Sequence, residues 1–198
     1  MIAFPFQDNL LPFDGELYYI PNFLVMAEAN KSFGQLEKEI VWSNEELILF
    51  GKQIQLSRKV AFYGDEGLTY TYSGRIKKAY NWSSVLEDIK TLIATHSGES
   101  FNACLLNYYH DGSEGMGWHS DNEKELVEHA AIASLSLGDS RDFVLKHKKT
   151  GQNVRTHLQN GSLLIMKGEI QNNWLHALPK TKKSKKPRIN LTFRLMKT

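Results

Sequence analysis

Polar and apolar positions change rhythm near residue 100. Before it, apolar residues recur at three- and four-residue spacing. Phe33, Leu36 and Ile40 predict an amphipathic helix within residues 22–40, ending near Trp42. Trp82, Val85, Leu86, Ile89, Leu92 and Ile93 predict a second helix, opened by the Ser84/Glu87 capping-box spacing and stopped at Gly98. From Phe101 onward, apolar and polar residues alternate in short runs separated by DGSEG, GDS, KKTGQN and QNG, the signature of short strands joined by turns. Many short strands without intervening helices predict a barrel or jelly roll. The last run, RINLTFRLM, places Ile189, Leu191, Phe193 and Leu195 on one face of a strand and Arg188, Asn190, Thr192 and Arg194 on the other.

That polar face carries two arginines. On an edge strand they would be solvated surface charges. Inside a barrel they would be buried guanidinium groups in need of anionic partners, and a dicarboxylate is such a partner. Asn107 and Tyr109, two apart in FNACLLNYY, also share a strand face, either as polar residues of a barrel core or as ligand contacts. Between these segments lie His119-Ser120-Asp121 and, much later, His176. In an extended segment His119 and Asp121 point to the same side, and a second strand or loop can bring His176 to them. Two histidines and one carboxylate occupy one face of an octahedral metal and leave positions open for a cosubstrate and O₂, which suits a non-haem Fe(II) oxygenase. The spacing alone does not decide the matter.

At 198 residues and 41% hydrophobic content, the chain is long enough for one well-buried globular unit with an extension, divided along the sequence into 1–98 and 99–198. No apolar run approaches the roughly 18 residues of a membrane span, and MIAFPFQDNLLPFDGE lacks the basic region of a signal peptide. A soluble intracellular protein is expected. The only cysteine, Cys104, excludes an internal disulfide and falls in an alternating apolar run, which predicts a buried thiol. The net charge of +2 hides an asymmetry: residues 1–140 hold 10 Lys and Arg against 20 Asp and Glu, whereas 141–198 hold 14 against 2. A basic block of that density favours a polyanionic partner, nucleic acid foremost. Lys146, Lys148 and Lys149 form one cluster, and Lys180, Lys182, Lys183, Lys185 and Lys186 another. Solvated loops, or a nuclear-localisation run for the second, are the plainer readings.

The runs NYYHDGSEGMGWHSDNE (107–123), IASLSLGDSRDF (132–143), GSLLIM (161–166), WLHALP (174–179) and PRINLTFR (187–194) resemble, in order and spacing, the AlkB family of Fe(II)/2-oxoglutarate dioxygenases. LFGK (49–52) and RKVAFYGDEGLTYTYSG (58–74) extend the likeness to the AlkB-homologue subgroup that repairs alkylated bases in duplex DNA.

The resemblance implies a mainly β fold with flanking helices: a double-stranded β-helix (jelly roll) core with an N-terminal α/β nucleotide-recognition lid. It implies Fe(II) held by His119, Asp121 and His176, with 2-oxoglutarate as cosubstrate and O₂. Asn107 and Tyr109 would hydrogen-bond 2-oxoglutarate, and Arg188 would pair with its distal carboxylate. Arg194 would lie near its iron-bound carboxylate, with Asn190 and Thr192 on the same cofactor face. The implied reaction hydroxylates an N-alkyl carbon of a base such as 1-methyladenine or 3-methylcytosine, releasing formaldehyde, succinate and CO₂. Alkylated DNA, single- or double-stranded, is the implied partner, with RNA second. No membrane association is expected, and a monomer is. The implied location is cytoplasmic and nucleoid-associated in a bacterium, nuclear in a eukaryote. The alternatives are the same chemistry on RNA or protein, or a non-catalytic nucleic-acid-binding module.

A base must leave the stack to reach a buried iron. Phe50 with Gly51 matches the family's finger that fills the gap, although ELILF also reads as the end of a core run. Tyr70 and Tyr72 match the base pocket, Glu123 the group that reads the exocyclic amine, Arg58 a pocket-side arginine, and Lys182 and Lys183 the basic DNA-contacting loop. Asn122 stands where relatives often carry a second acidic residue, Thr181 where they carry an arginine, and Tyr72 where they carry Phe. If Phe50 is the wedge, Phe50→Ala should reduce repair of a methylated base in duplex more than in single strands, measured as product yield on matched oligonucleotides. Equal losses would return Phe50 to the core.

Overall fold

The computed structural model describes residues 8–49, 52–72, 75–183 and 185–197, and describes 45–49, 52–54, 70–72 and 75–77 by their backbone alone. The chain runs β1 (Glu16–Ile20), α1 (Met26–Glu39), β2 (Ser43–Leu49), β3 (Lys52–Gly64), β4 (Thr69–Tyr72), β5 (Arg75–Lys78) and α2 (Ser84–Ser97). It continues through β6 (Ala103–Tyr109), β7 (Met116–His119), β8 (Ile132–Gly138), β9 (Arg141–His147), β10 (Asn153–Leu158), β11 (Ser162–Lys167), α3 (Ile170–Asn173), β12 (Trp174–Leu178) and β13 (Arg188–Arg194). The four turn-prone segments read from the sequence fall between β6 and β7, β8 and β9, β9 and β10, and β10 and β11.

A seven-stranded sheet has the order β1-β11-β8-β13-β6-β3-β2, and a four-stranded sheet the order β10-β9-β12-β7. All the pairings are antiparallel. Strands β6 to β13 pass back and forth between the two sheets, except that β9 and β10 form a hairpin within the smaller one, in the manner of a jelly roll, so the expected double-stranded β-helix is present. The boundary expected after residue 98 follows the chain and not the sheet, because β1, β2 and β3 all join the larger sheet. Strand β1 was not read from the sequence. β4 and β5 form a separate two-stranded ribbon.

The alternation in the larger sheet sorts its side chains in an instructive way. Cys104, Leu106, Ala133, Leu135, Ile189, Leu191 and Phe193 belong to a cluster with Leu36 of α1 and Leu86, Ile89 and Ile93 of α2. The largest apolar core therefore lies between this sheet and the helices, outside the roll. Phe193 is fully buried there, with its ring stacked 6.3 Å from Trp82 and edge-on to Phe101. Burial of an aromatic side chain of this kind is worth about 3–5 kcal/mol against truncation to Ala. It holds β13 flat against the helical layer. The alternate residues of β6, β8 and β13, polar in large part, look into the roll. The buried thiol expected of Cys104 is present, and burial pushes it well above the ordinary thiol range.

Two local expectations are corrected. Helix α2 is capped by Ser83 and begins at Ser84, and neither serine nor Glu87 forms the side-chain cap; Glu87 reaches Lys90 at 3.8 Å instead. Its end is as expected, with Gly98 left-handed at φ 72° and its N–H on the Ala94 carbonyl. Strand β13 stops at Arg194, so Leu195 does not continue the apolar face but lies half-buried beyond it.

Candidate active site

The interior of the roll contains a cavity of about 270 Å³. Both sheets line it. From the larger sheet come Leu105, Asn107 and Tyr109 of β6, Ser134 of β8, and Arg188, Asn190, Thr192 and Arg194 of β13. His119 and His176 face each other across the β7–β12 ladder as Cα partners, with ring centroids 4.2 Å apart. Gly115 lets this ladder close, since a Cβ there would run into the Leu178 carbonyl.

Asp121 lies two residues past the end of β7, so only His119 of the H-x-D pair sits in a strand. Its Oδ1 is 3.6 Å from His119 Nε2 and 3.7 Å from His176 Nε2, and the three side chains form the metal-competent group of the described residues. The Nδ1 of His119 lies 2.9 Å from the Gly117 carbonyl, which accepts only from a protonated nitrogen. Nε2 is then left with its lone pair facing Asp121 and His176, the tautomer a metal requires. Burial, reinforced by the neighbouring His176, pushes the His119 pKa down and keeps the ring neutral.

Asp121 is 5% exposed. Burial alone would raise its pKa, but the Arg194 guanidinium outweighs it, and with His176 and His119 holds the carboxyl well below the ordinary range. Arg194 donates from Nε and Nη2 to Asp121 Oδ2 at 3.0 and 2.6 Å. Arg194, expected near the iron-bound carboxylate of the cosubstrate, lines the cavity and directs these two hydrogen bonds to one oxygen of the protein's own Asp121.

Arg188, 2% exposed, donates from Nη2 to Ser136 Oγ at 2.9 Å and to Asn190 Oδ1 at 2.8 Å. Asn190 also accepts from Ser134 Oγ and donates to Thr192 Oγ1. The Tyr109 ring lies 5.5 Å from the guanidinium. Burial brings the Arg188 pKa down to about 10, with Arg141 adding to the fall, and leaves it cationic at neutral pH. Arg188 Nε and Asn107 Oδ1 are buried with no partner among the described residues. Buried polar atoms without partners are uncommon, and both residues line the cavity, so the site offers one cationic donor at Arg188 Nε, which fits an anionic group, and one acceptor at Asn107 Oδ1, beside a metal-competent cluster. Ser134 and Ser136 were missed from the sequence although their signal was legible, since they occupy the inward positions of SLSL.

Glu123 lines this cavity and a neighbouring one of about 240 Å³. Arg58 is buried but does not line the main cavity; its Nη1 donates to the Gly115 carbonyl, so its visible contact supports the turn before β7. Phe50 and Gly51 lie outside the described residues, as do the side chains of Tyr70 and Tyr72 on β4. Lys182 and Lys183 are exposed in the loop between β12 and β13 and line an open groove with Asp111 and Ser113. Lys146 is exposed too, whereas Lys185 reaches back to Asp139 and Ser140 at 3.4 Å. Lys148 donates to Ser120 Oγ at 3.3 Å and to the Gln171 carbonyl at 2.8 Å.

Residues 16–194 match the model of the 2OG-Fe(II) oxygenase superfamily. The "DNA oxidative demethylase ALKBH2" of Homo sapiens is 43% identical over 179 residues, covering 85% of this chain and 69% of that protein. The chain belongs to the AlkB family of 2OG-Fe(II) oxygenases. Fe(II) and 2-oxoglutarate are the cofactors of that superfamily. The "Alpha-ketoglutarate-dependent dioxygenase alkB homolog 3" of Bos taurus is 38% identical over 185 residues, covering 88% of this chain and 64% of that one. Among solved structures, "The structure of OsALKBH1" superposes with a TM-score of 0.65 at 18% identity, covering 90% of this chain and 97% of its own, a likeness of fold. No helix among the described residues is long and apolar enough to cross a membrane.

The two ends of this AlkB-family site should separate by mutation. His176→Ala is expected to abolish succinate formation with little change in thermal midpoint. Asp121→Ala should abolish turnover and also destabilise the fold by about 3–5 kcal/mol, because it leaves the Arg194 guanidinium buried without its partner. Thermal and urea denaturation alongside a succinate assay check both, and turnover like that of the wild type in either variant would refute the triad.

Proposed function

We propose that this AlkB-family chain is a DNA dealkylase that removes alkyl groups from base nitrogens. The observation that carries the reading is the meeting, in one cavity, of the His119-Asp121-His176 group with a buried arginine whose Nε has no partner among the described residues. The DNA half is supported by the names of its relatives and by the exposed lysines around Lys146, Lys182 and Lys183.

His119, Asp121 and His176 would hold the iron, with Asp121 Oδ1 as the coordinating oxygen because Oδ2 is engaged by Arg194. Bound there with 2-oxoglutarate, the iron supplies the O₂ chemistry that converts the cosubstrate to succinate and CO₂ and hydroxylates the alkyl carbon. The residues of the chain orient. Arg188 offers Nε to the distal carboxylate, its Nη2 already locked by Ser136 and Asn190, and the Asn107 amide faces the same molecule. Glu123 would accept a hydrogen bond from the exocyclic amine of the base. The β4–β5 ribbon would be the lid, with Tyr70 and Tyr72 on the base and Phe50 and Gly51 as the finger, on the family resemblance. An N-hydroxymethyl product is a hemiaminal, whose C–N bond breaks to release formaldehyde and return the proton to the base nitrogen without a protein nucleophile.

Product analysis on methylated DNA and RNA oligonucleotides with iron and 2-oxoglutarate tests the function. Matching amounts of formaldehyde and repaired DNA are expected, and turnover of RNA alone would overturn the choice of DNA. Arg188→Lys should raise the KM for 2-oxoglutarate by about tenfold or more although charge is kept, because an ammonium cannot reproduce the planar contact. An unchanged KM would remove Arg188 from the cosubstrate site. Neutralising Lys146, Lys182 and Lys183 together should flatten the slope of log K against log[salt] for DNA binding by roughly 3 units. An unaltered slope would return them to solvated surface.

A further inference from the structure

We propose that Gln171 is a positioning residue for the metal-binding turn and that Lys148 holds it there, so that Lys148 serves the iron site and not the DNA-facing lysines. The proposal rests on the reading of His119, Asp121 and His176 as the metal ligands.

Asp121 lies beyond β7, where no strand ladder fixes its main chain. Its backbone N–H donates instead to Gln171 Oε1 at 2.9 Å. Only an acceptor can meet an N–H, so the amide oxygen must face the turn, and the amide nitrogen is directed to Met166 Sδ at 3.6 Å, a residue that lines the same cavity. The orientation of Gln171 is thus determined at both ends of its amide.

Gln171 belongs to α3, a single short turn of helix that needs external support. The hairpin after β9 supplies it. The Lys148 backbone N–H donates to the Asn173 carbonyl at 2.8 Å, and its Nζ to the Gln171 carbonyl at 2.8 Å. The same ammonium reaches Ser120 Oγ at 3.3 Å, and Ser120 lies between the two ligands His119 and Asp121. One cation therefore touches both the helical turn that presents the amide and the turn that the amide restrains. To contact a phosphate, Lys148 would have to leave both acceptors. With the backbone held by Gln171 and Oδ2 by Arg194, rotation of Asp121 is blocked from two directions, leaving Oδ1 toward the histidines.

Co(II) titration of the full chain with 2-oxoglutarate present reads the brace without turnover. Gln171→Leu should weaken Co(II) binding by about 10- to 100-fold, the usual effect of removing a partner that orients a ligand, with the apo thermal midpoint little changed. Gln171→Glu should restore most of the affinity, since a carboxylate oxygen accepts the same N–H. Lys148→Met should weaken Co(II) binding and leave the salt slope of DNA affinity unaltered, whereas Lys146→Met should lower that slope by about one unit. Co(II) affinity in Gln171→Leu equal to wild type would overturn the brace, as would a Lys148→Met protein that loses a unit of salt slope and binds Co(II) normally. A wild-type chain that binds no Co(II) would overturn the metal reading itself, and the brace with it.

Discussion

A carboxylate buried on the inner side of a jelly roll remains charged only with a cation held against it, and in this protein that cation is Arg194. The desolvation of both groups is offset by two short hydrogen bonds to one oxygen, a geometry that also dictates which oxygen is left for other work. The pair spans the two sheets. Asp121 follows the edge strand of the smaller sheet, and Arg194 closes a central strand of the larger one. The two walls of the cavity are therefore tied together by the same contact that orients a metal ligand. The histidines need no such device, because the β7–β12 register already sets them face to face.

Much of this was legible in the residues, and the reasons for what was not are physical. Alternation in β13 identified which residues share a face, and the His119, Asp121 and His176 grouping and the polar row from Arg188 to Arg194 both proved to surround one cavity. Alternation does not say which face looks inward. Both faces of the larger sheet are covered, one by helices and one by the second sheet, and the apolar side of β13 packs outward on Trp82, Phe101 and the α2 residues. Strand β1 escaped notice because ELYYI is short and precedes a helical region, and its place beside β11 depends on a pairing nearly 150 residues distant.

Charge clusters were less informative than they looked. Lysine density in a sequence records how much positive potential a segment carries, not where each ammonium points. Lys148 and Lys185 turn back onto carbonyl, hydroxyl and carboxylate groups of the protein, while Lys146, Lys182 and Lys183 remain on the surface. Asp121 is similar. The H-x-D spacing suggested an extended pair, yet the strand ends at the histidine, and the carboxylate is placed by Arg194 and Gln171, which follow it in the chain by 73 and 50 residues.

Strand β13 comes last in chain order and yet lies between β8 and β6, in the middle of the larger sheet. It carries Arg188 at one end and Arg194 at the other, separated by roughly 20 Å of extended chain. β8 and β6 are joined in the sheet only through this strand, so the sheet is continuous only with it in place. Without it Asp121 would have no Arg194 guanidinium against it, and the cavity would lose Arg188 from its lining. Completion of the larger sheet and formation of the Asp121–Arg194 pair therefore depend on the same strand.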